Sequence, residues 1–283
     1  MKSLSFDDLK DKNCVITGGG GVIGSAIAMG LASVGVKTAI VDINKEAADK
    51  VAASVEKETG TKSVGVAANV LEKESLKKAK SEINEKLGEI HLLINGAGGN
   101  SPKATTQKEQ IEKEDLSDLS GTFYGLDLEG FKWVFDLNFM GTLLPTMVFT
   151  EDMLKNGKGA VLNVSSMNSY KPLTKIPAYS AAKASVNNFT EWLSVHLAKV
   201  GIRVNAVAPG FFLTNQNRFL LTDEKTGELT ERGRKIIANT PTAKFGEPED
   251  LLGTVCYLLS DIAAFVTGIV IPVDGGYSAF GGV

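Results

Sequence analysis

The chain has 283 residues, which is enough to bury a sizeable core, and we expect residues 1–283 to form a single domain. Its 30 Lys and Arg against 33 Asp and Glu give a formal net charge of −3, which argues against nucleic acid or an anionic membrane as a partner. The first twelve residues are charged and no apolar run reaches the length of about 18 that spans a bilayer, so we expect a cytoplasmic protein with a small-molecule partner.

The first third of the chain alternates short apolar runs with amphipathic stretches. Asn13–Thr17 is a β-branched run that ends at four consecutive glycines, and helical periodicity follows over Val22–Val34. This order predicts a strand, a glycine loop and a helix. The alternation then continues with predicted strands Lys37–Asp42, Ser63–Ala67 and His91–Asn95 and predicted helices Lys45–Thr59 and Glu72–Leu87.

The pattern changes after the fourth predicted strand. Residues 100–129 are polar and charged, which predicts an irregular insertion, and residues 211–240 predict a polar, helical lid over the substrate. Pro145 is expected to bend a long helix or to mark a boundary in it. The later predicted strands are Gly159–Ser165, Arg203–Val207 and Ile269–Val273, and the later predicted helices are Phe131–Leu154, Tyr179–Lys199 and Pro248–Leu259.

Strands that alternate with helices along the whole chain indicate the fold class. We expect an α/β protein with one Rossmann-like, doubly wound domain, in which a parallel sheet of about seven strands is flanked by helices. The two cysteines, Cys14 and Cys256, lie in apolar runs and match no metal-binding or disulfide spacing, so we expect them to be buried and expect no metal site.

The glycine loop indicates a dinucleotide site, because backbone N–H groups between a first strand and its helix can receive a pyrophosphate. Asp42 follows Gly24 by 18 residues at the end of the second predicted strand, where a carboxylate binds ribose hydroxyls and repels a 2′-phosphate. NAD is therefore expected rather than NADP. A tight turn without a ligand and a solvated strand-end acid are the alternatives. The predicted contacts from the loop are Gly18, Gly21, Val22, Ile23 and Gly24.

Tyr179 and Lys183 lie four residues apart in a predicted helix, so their side chains leave the same face. A nearby cation lowers the pKa of a phenol, and such a pair can transfer a proton. Single residues also have structural interpretations. A tyrosine in an amphipathic helix usually packs against its neighbours, and a serine at a strand end usually forms a turn.

Together these motifs resemble the short-chain dehydrogenase/reductase family over nearly the whole chain. The resemblance rests on the glycine loop and on Ser166, which precedes Tyr179 by thirteen residues. It implies that Ser166 holds the substrate oxygen and that Tyr179 is the general acid or base. It further implies that Lys183 lowers the tyrosine pKa and holds the nicotinamide ribose, while Asn138 supports a water relay. Ser165 is the neighbouring candidate, but the spacing favours Ser166.

The resemblance also implies further cofactor contacts, and the sequence departs from the family pattern at two of them. Val22 replaces the middle glycine of the loop, and Gly96 replaces an asparagine after the fourth strand. Asn69 occupies a position that is often acidic and can still hydrogen-bond to adenine. The other implied contacts are Val70, Asn95, Ala97, Pro209, Gly210, Phe212 and Thr214, together with Tyr179 and Lys183.

Polar residues near the catalytic pair favour a polyhydroxylated substrate with a negative group, because an apolar steroid or acyl chain would leave buried donors unpaired. We expect Ser166, Asn168 and Gln216 to contact this substrate. Arg218 is expected to bind its carboxylate in bidentate fashion, and the alternative is that Arg218 is merely exposed.

Within the family, the segments Ser165–Asn168 and 210–218 resemble the D-mannonate oxidoreductase (fructuronate reductase) type. That resemblance implies the NAD-linked interconversion of D-mannonate and D-fructuronate, and a homotetramer. One alternative is a related sugar-acid or polyol enzyme, such as a gluconate 5-dehydrogenase or a 2-deoxygluconate 3-dehydrogenase. The sequence also leaves open a non-catalytic nucleotide-sensing protein of the same fold and an acyl-carrier ketoreductase.

Overall fold

Parallel strands form the centre of the structure, a computed structural model that describes residues 4–213, 221–223 and 226–282. Within these residues, seven strands pair in the order β3-β2-β1-β4-β5-β6-β7, and every pair is parallel. The strands are β1 (Asn13–Thr17), β2 (Lys37–Asp42), β3 (Ser63–Ala67), β4 (Leu92–Asn95), β5 (Gly159–Val164), β6 (Ile202–Pro209) and β7 (Val270–Val273). This sheet confirms the predicted fold class.

Helices connect the strands and cover both faces of the sheet. In the described part of the chain they are α1 (Val22–Ser33), α2 (Lys45–Thr59), α3 (Lys73–Leu87), α4 (Leu128–Phe149), α5 (Glu151–Asn156), α6 (Pro177–Leu197), α7 (Glu231–Ala238) and α8 (Leu252–Leu259). The last of these follows a 3₁₀ turn, Pro248–Leu251, so the helix predicted to start at Pro248 begins as a 3₁₀ helix.

Two features of the middle of the chain differ in detail from the prediction. The predicted helix Phe131–Leu154 is two helices, α4 and α5, which meet at Thr150. Pro145 lies inside α4 and does not end it. The irregular insertion contains three short 3₁₀ helices, at Pro102–Ala104, Lys113–Ser117 and Phe123–Gly125.

Alternate residues of the central strands supply two separate cores, because successive side chains of a strand point to opposite faces. On β1, Cys14 and Ile16 belong to the core under α1 and α8, whereas Val15 belongs to the core under α3, α4 and α6. All five residues of β1 are buried. Cys256 lies in the same core as Cys14, and burial raises the pKa of both thiols.

The order of the strands reverses between β1 and β4. Residues of β1 pair with β2 on one side and with β4 on the other, so the chain leaves Thr17 and Asn95 side by side at the carboxyl edge of the sheet. In open parallel sheets, ligands bind in the crevice at such a reversal. None of the helices in the described ranges is long and apolar enough to span a membrane.

Candidate active site

The glycine loop after β1 forms a cradle at the amino end of α1. Gly18 has a φ of +65°, in the left-handed region that favours glycine. A Cβ atom on Gly24 would lie 2.5 Å from the carbonyl oxygen of Gly18, so the loop approaches the helix too closely for a side chain there. The N–H groups of Val22, Ile23 and Gly24 donate to no acceptor within the described residues, which leaves them available to an anionic ligand.

Asp42 joins the end of β2 to this loop. Its Oδ2 accepts the N–H of Gly20 at 3.1 Å, and its Oδ1 accepts the N–H of Asn44 at 3.0 Å. Gly21, whose carbonyl accepts the N–H of Ser25 at 2.9 Å, immediately precedes α1. Asp42, the residue predicted to bind the ribose, therefore lies directly beside the loop predicted to bind the pyrophosphate.

Thr17 connects the glycine loop to the second loop of the crevice, which follows β4. Its Oγ1 accepts the N–H of Gly96 at 3.1 Å and that of Ala97 at 3.3 Å. A Cβ atom on Gly96 would lie 2.8 Å from the Thr17 carbonyl oxygen. This close approach gives a physical reason for glycine where the family pattern has asparagine.

Asn95 directs its side chain into the protein and is 1% exposed. Its Nδ2 donates to Thr146 Oγ1 at 2.8 Å and to Asn163 Oδ1 at 2.8 Å, and Asn163 in turn donates to Thr190 at 2.9 Å. The side chain thus links β4 and β5 to α4 and α6. A cofactor contact at this position would have to come from the backbone.

Two further predicted cofactor contacts follow β3 at the carboxyl edge. Asn69 forms a local turn, in which its Oδ1 accepts the N–H of Leu71 at 3.0 Å and its Nδ2 donates to Glu72 at 2.8 Å. Val70 is 8% exposed, and a Cβ atom on Gly141 of α4 would lie 3.1 Å from it. Their contact with adenine remains a prediction.

Ser165 and Ser166 follow β5, and the structure separates their environments. Ser165 Oγ donates to Asn187 Oδ1 and, at 3.3 Å, to the Lys183 carbonyl oxygen, so it holds the loop against α6. Ser166 Oγ accepts the N–H of Asn168 at 3.2 Å and interacts with the Tyr179 phenol. Ser166 is therefore the serine that lies at the predicted catalytic tyrosine.

Tyr179 and Lys183 extend from the first turns of α6 on one face. The Lys183 ammonium lies 5.7 Å from the centroid of the Tyr179 ring and donates to the Val164 carbonyl oxygen at 2.7 Å. Burial lowers the pKa of Lys183 to about 8. Burial also raises the pKa of Tyr179, and the hydrogen bond from Ser166 lowers it by less. The expected lowering of the Tyr179 pKa by Lys183 is not seen in this arrangement and stays a prediction.

Asn138 is fully buried in α4 and holds the loop after β4. Its Nδ2 donates to the Gly99 carbonyl oxygen at 2.7 Å, and its Oδ1 accepts the Gly99 N–H at 3.3 Å. A Cβ atom on Gly98 would lie 2.6 Å from Asn138 Oδ1 and 3.3 Å from Lys183 Nζ, which places the amide and the ammonium close together. The predicted catalytic residues Asn138, Ser166, Tyr179 and Lys183 thus occupy one site.

The segment after β6 begins with Gly210, whose N–H donates to the Val273 carbonyl oxygen at 2.9 Å. A Cβ atom on Gly210 would lie 2.6 Å from the Asp274 Cα, so Pro209-Gly210 packs closely against the end of β7. The side chain of Phe212 is 5% exposed and belongs to the core under α1 and α8. The remaining predicted residues of this segment, Thr214, Gln216 and Arg218, lie outside the described residues.

Asn168, a predicted substrate contact, is 5% exposed and lies next to Ser166. Within the described residues its Oδ1 has no hydrogen-bond partner. A buried acceptor without a donor costs free energy, so the amide is suited to receive a hydroxyl group from a ligand.

Sequence reasoning missed two groups that fix the predicted catalytic lysine, Lys183. The carbonyl oxygen of Val164 accepts the Lys183 ammonium, and Gly98 leaves the space in which Asn138 and Lys183 meet. A backbone carbonyl gives no signal in a sequence, whereas a glycine such as Gly98 is visible in it. Among the described residues, no cluster of three or more His, Cys, Asp or Glu side chains could hold a metal ion.

Comparisons with known proteins agree with this geometry. The family model described as enoyl-(acyl carrier protein) reductase matches residues 20–278. An oxidoreductase of uncharacterized activity from Haemophilus influenzae is 50% identical over 284 residues, with 100% of this chain and 99% of that protein covered. A 2-dehydro-3-deoxy-D-gluconate 5-dehydrogenase from Formosa agariphila is 32% identical over 279 residues, with 98% of this chain and 96% of that protein covered.

A solved structure is similar over almost the full length. It is the crystal structure, with bound NAD, of a Haemophilus influenzae protein provisionally assigned as a D-mannonate oxidoreductase. The two chains are 49% identical, the TM-score is 0.92, and 98% of each chain is covered. A structure similar to this chain over 98% of its length therefore has a dinucleotide bound.

Proposed function

The chain belongs to the short-chain dehydrogenase/reductase family, and on that premise we propose that it uses NAD to interconvert a sugar-acid alcohol and its ketone. The specific reaction proposed is the interconversion of D-mannonate and D-fructuronate. The observation that carries this choice of substrate is the full-length similarity to the NAD-bound Haemophilus influenzae protein. The buried amide of Asn168 beside Ser166 supports a substrate with hydroxyl groups.

The residues present fit NAD. The free N–H groups at the start of α1 suit a pyrophosphate. Gly18 and Gly24 carry no side chain, so the backbone there can approach the pyrophosphate closely. Asp42 lies where it would accept ribose hydroxyls and would repel a 2′-phosphate. When bound, NAD supplies hydride transfer, and the protein supplies orientation and proton transfer.

The proposed proton chemistry belongs to residues of α6 and of the loop after β5. Tyr179 accepts the proton of the substrate hydroxyl during oxidation and donates it to the carbonyl oxygen during reduction. Ser166 donates a hydrogen bond to the substrate oxygen and stabilises the charge that develops there. Lys183 holds the ribose and favours the phenolate, and Asn138 keeps the Gly98–Gly99 loop in place above the lysine.

A related sugar-acid dehydrogenase is the second candidate, and the relative that acts on 2-dehydro-3-deoxy-D-gluconate favours it. The acyl-carrier alternative has the family model in its favour, but a long acyl chain would leave the Asn168 acceptor unpaired. The nucleotide-sensing alternative requires no proton donor, yet Tyr179 and Lys183 are arranged for proton transfer.

NADH oxidation with a panel of substrates tests the proposal. D-fructuronate is expected to give the highest kcat/KM, with keto-gluconates lower and acetoacetyl esters near the background rate. Equal or faster turnover of a keto-gluconate would transfer the assignment to the second candidate. A wild-type protein that turned over none of these substrates would favour the nucleotide-sensing alternative, and a Tyr179→Phe variant that kept every activity would exclude Tyr179 as the proton donor.

A further inference from the structure

Two lysines lie in the substrate loop, residues 170–176, which connects the turn after Ser166 to α6. The first of them is held by the carboxyl-terminal tail. Lys171 Nζ donates to the Phe280 carbonyl oxygen at 2.9 Å and lies 5.6 Å from the centroid of the Tyr277 ring. Its charge is therefore engaged within the protein and fixes the loop against the tail.

The second lysine has no such partner. Lys175 is half-buried, and its ammonium forms no ion pair or hydrogen bond with any of the described residues. Its backbone is held firmly, because the Lys175 carbonyl oxygen accepts the N–H of Thr106 from the insertion at 2.9 Å. The structure thus holds the backbone of this residue, and within the described residues its charge is unpaired.

The Tyr179 phenol is expected to lie over the turn that follows Lys175. Tyr179 packs against a small apolar cluster that contains Ala104 of the insertion, and Thr106 follows Ala104 by two residues. Helical side chains tilt toward the amino end of their helix, so the Tyr179 phenol covers the turn before its own Cα. That turn follows directly after Lys175, which precedes Tyr179 by four residues.

Three acidic residues of the insertion are already engaged with other groups. Asp115 pairs with Lys108 at 2.9 Å, and Glu109 pairs with Lys235 at 3.8 Å. Asp127 accepts the N–H of Gly130 at 2.7 Å as the amino-terminal cap of α4. Among the residues that the structure describes, none of these carboxylates neutralises Lys175.

We infer that Lys175 binds the carboxylate of the sugar-acid substrate, an inference that rests on the function proposed above. Lys175 is a half-buried residue whose ammonium has no counter-ion among the described residues, so it is suited to pair with an anion that enters the site, and a charge-assisted hydrogen bond gives that pairing direction. Lys175 is thus a specificity-determining residue that selects sugar acids over neutral sugars, whereas Lys171 positions the loop.

The test compares D-fructuronate with D-fructose, in which a CH₂OH group replaces the carboxylate. For Lys175→Met, the KM for fructuronate is expected to rise about 10- to 100-fold, the loss typical of one hydrogen bond to a charged group. The KM for fructose should stay unchanged, because that substrate carries no charge to be recognised. A Lys175→Arg variant should restore most of the affinity for fructuronate.

Two matched variants control for other effects. Lys103→Met removes an exposed charge of the same insertion and should leave both KM values unchanged. Lys171→Met disturbs the loop and should affect the acid and the neutral sugar alike. The inference would be overturned if Lys175→Met changed the KM for both substrates equally, or changed neither. It would also be overturned if the wild-type enzyme turned over no sugar acid. The last result is seen without any variant, so it identifies a failure of the proposed function itself.

Discussion

Lys183 is a residue at which burial and charge oppose each other. Its side chain is 4% exposed, and burial lowers its pKa to about 8 from an ordinary value of 10.5. Between these two pH values the unfolded chain binds more protons than the folded protein, so stability rises with pH there. Below pH 8 the folded protein carries the whole cost of burying the charge.

Lys183→Met should therefore lose activity and gain stability at neutral pH. The pKa shift corresponds to roughly 3 kcal/mol in the free energy of unfolding at pH 7. This gain should shrink as the pH rises from 8 to 10.5, because the wild-type lysine becomes neutral in the folded state. Denaturant unfolding of both proteins at the two ends of this range measures it, and a gain independent of pH would contradict the cause given.

Ser166→Ala and Ser165→Ala form a matched pair of adjacent substitutions. We expect the first to lower kcat/KM by about 100- to 1000-fold, the loss seen when one donor to a developing oxyanion is removed. The second should retain activity and lose about 1 kcal/mol of stability, because it removes hydrogen bonds to Asn187 and to the Lys183 carbonyl. Steady-state kinetics and thermal unfolding separate the two effects, and similar kinetic losses would refute the distinction.

For single residues, the sequence predicted the candidate site best where a side chain itself would carry the chemistry. The spacing of Tyr179 and Lys183 follows from helix geometry, whereas Ser166 was found through the thirteen-residue spacing of the family resemblance. The pairing of Thr106 with Lys175 was not visible, because it joins an irregular insertion to a distant loop through backbone atoms. The pKa directions were only partly predictable, since burial acts on Tyr179 more strongly than its neighbours do.

Among the elements, α5 is tied to α3 and to the segment before β4 through one buried carboxylate. Asp152 is 1% exposed, and its Oδ2 accepts the Asn84 amide at 3.0 Å and the Ile90 N–H at 3.2 Å, while Lys80 pairs with Oδ1 at 2.9 Å. Burial alone raises the pKa of Asp152, but the bonds from Lys80, Asn84 and Ile90 together lower it below 3.8. The resulting stability is present above pH 3.8 and is lost as the pH falls below it.

Asp152→Asn should lower the free energy of unfolding by about 2 kcal/mol at pH 7, because it weakens hydrogen bonds to a charged acceptor. The difference from wild type should disappear in acid, where the wild-type carboxyl is protonated. Glu151→Gln is the control, since Glu151 also pairs with Lys80 but is 55% exposed. Denaturant titrations at neutral and acidic pH measure both variants, and an equal effect of the control would contradict a role for burial.

Strand positions were predictable to within a few residues because strands covered on both faces appear as continuous apolar runs. The junction between α4 and α5 was not, since Thr150 ends one helix and precedes the next without a glycine or proline. The proline nearby, Pro145, lies inside α4 and does not mark the boundary. Local sequence therefore predicted that helices exist and located their breaks poorly.

For the whole molecule, the outer faces of α4 and α6 carry a row of aromatic side chains. Phe139 lies 5.9 Å from Phe189 between ring centroids, and Trp192 stacks on His196 at 4.8 Å. Trp192 is 57% exposed. An apolar face of this kind suits association between copies of the chain, and we expect another subunit of the predicted homotetramer to cover it.

Trp192→Glu should therefore reduce the size of the assembly, because a carboxylate would be buried at that contact. Size-exclusion chromatography with light scattering measures the mass of each species. Leu116→Glu, at an exposed position of the insertion, is the control and should leave the assembly unchanged. A Trp192 variant of unchanged mass would place the interface elsewhere.

The two buried cysteines provide an internal probe of opening motions. Cys14 and Cys256 share one core, and their raised pKa values keep both sulfurs as unreactive thiols. An aromatic disulfide reagent can therefore label them only when the layer formed by α1 and α8 separates from the sheet. The labelling rates of the native enzyme should be compared with and without NAD. The ratio of the two rates would report how strongly the dinucleotide suppresses those openings, although it binds at the opposite end of α1.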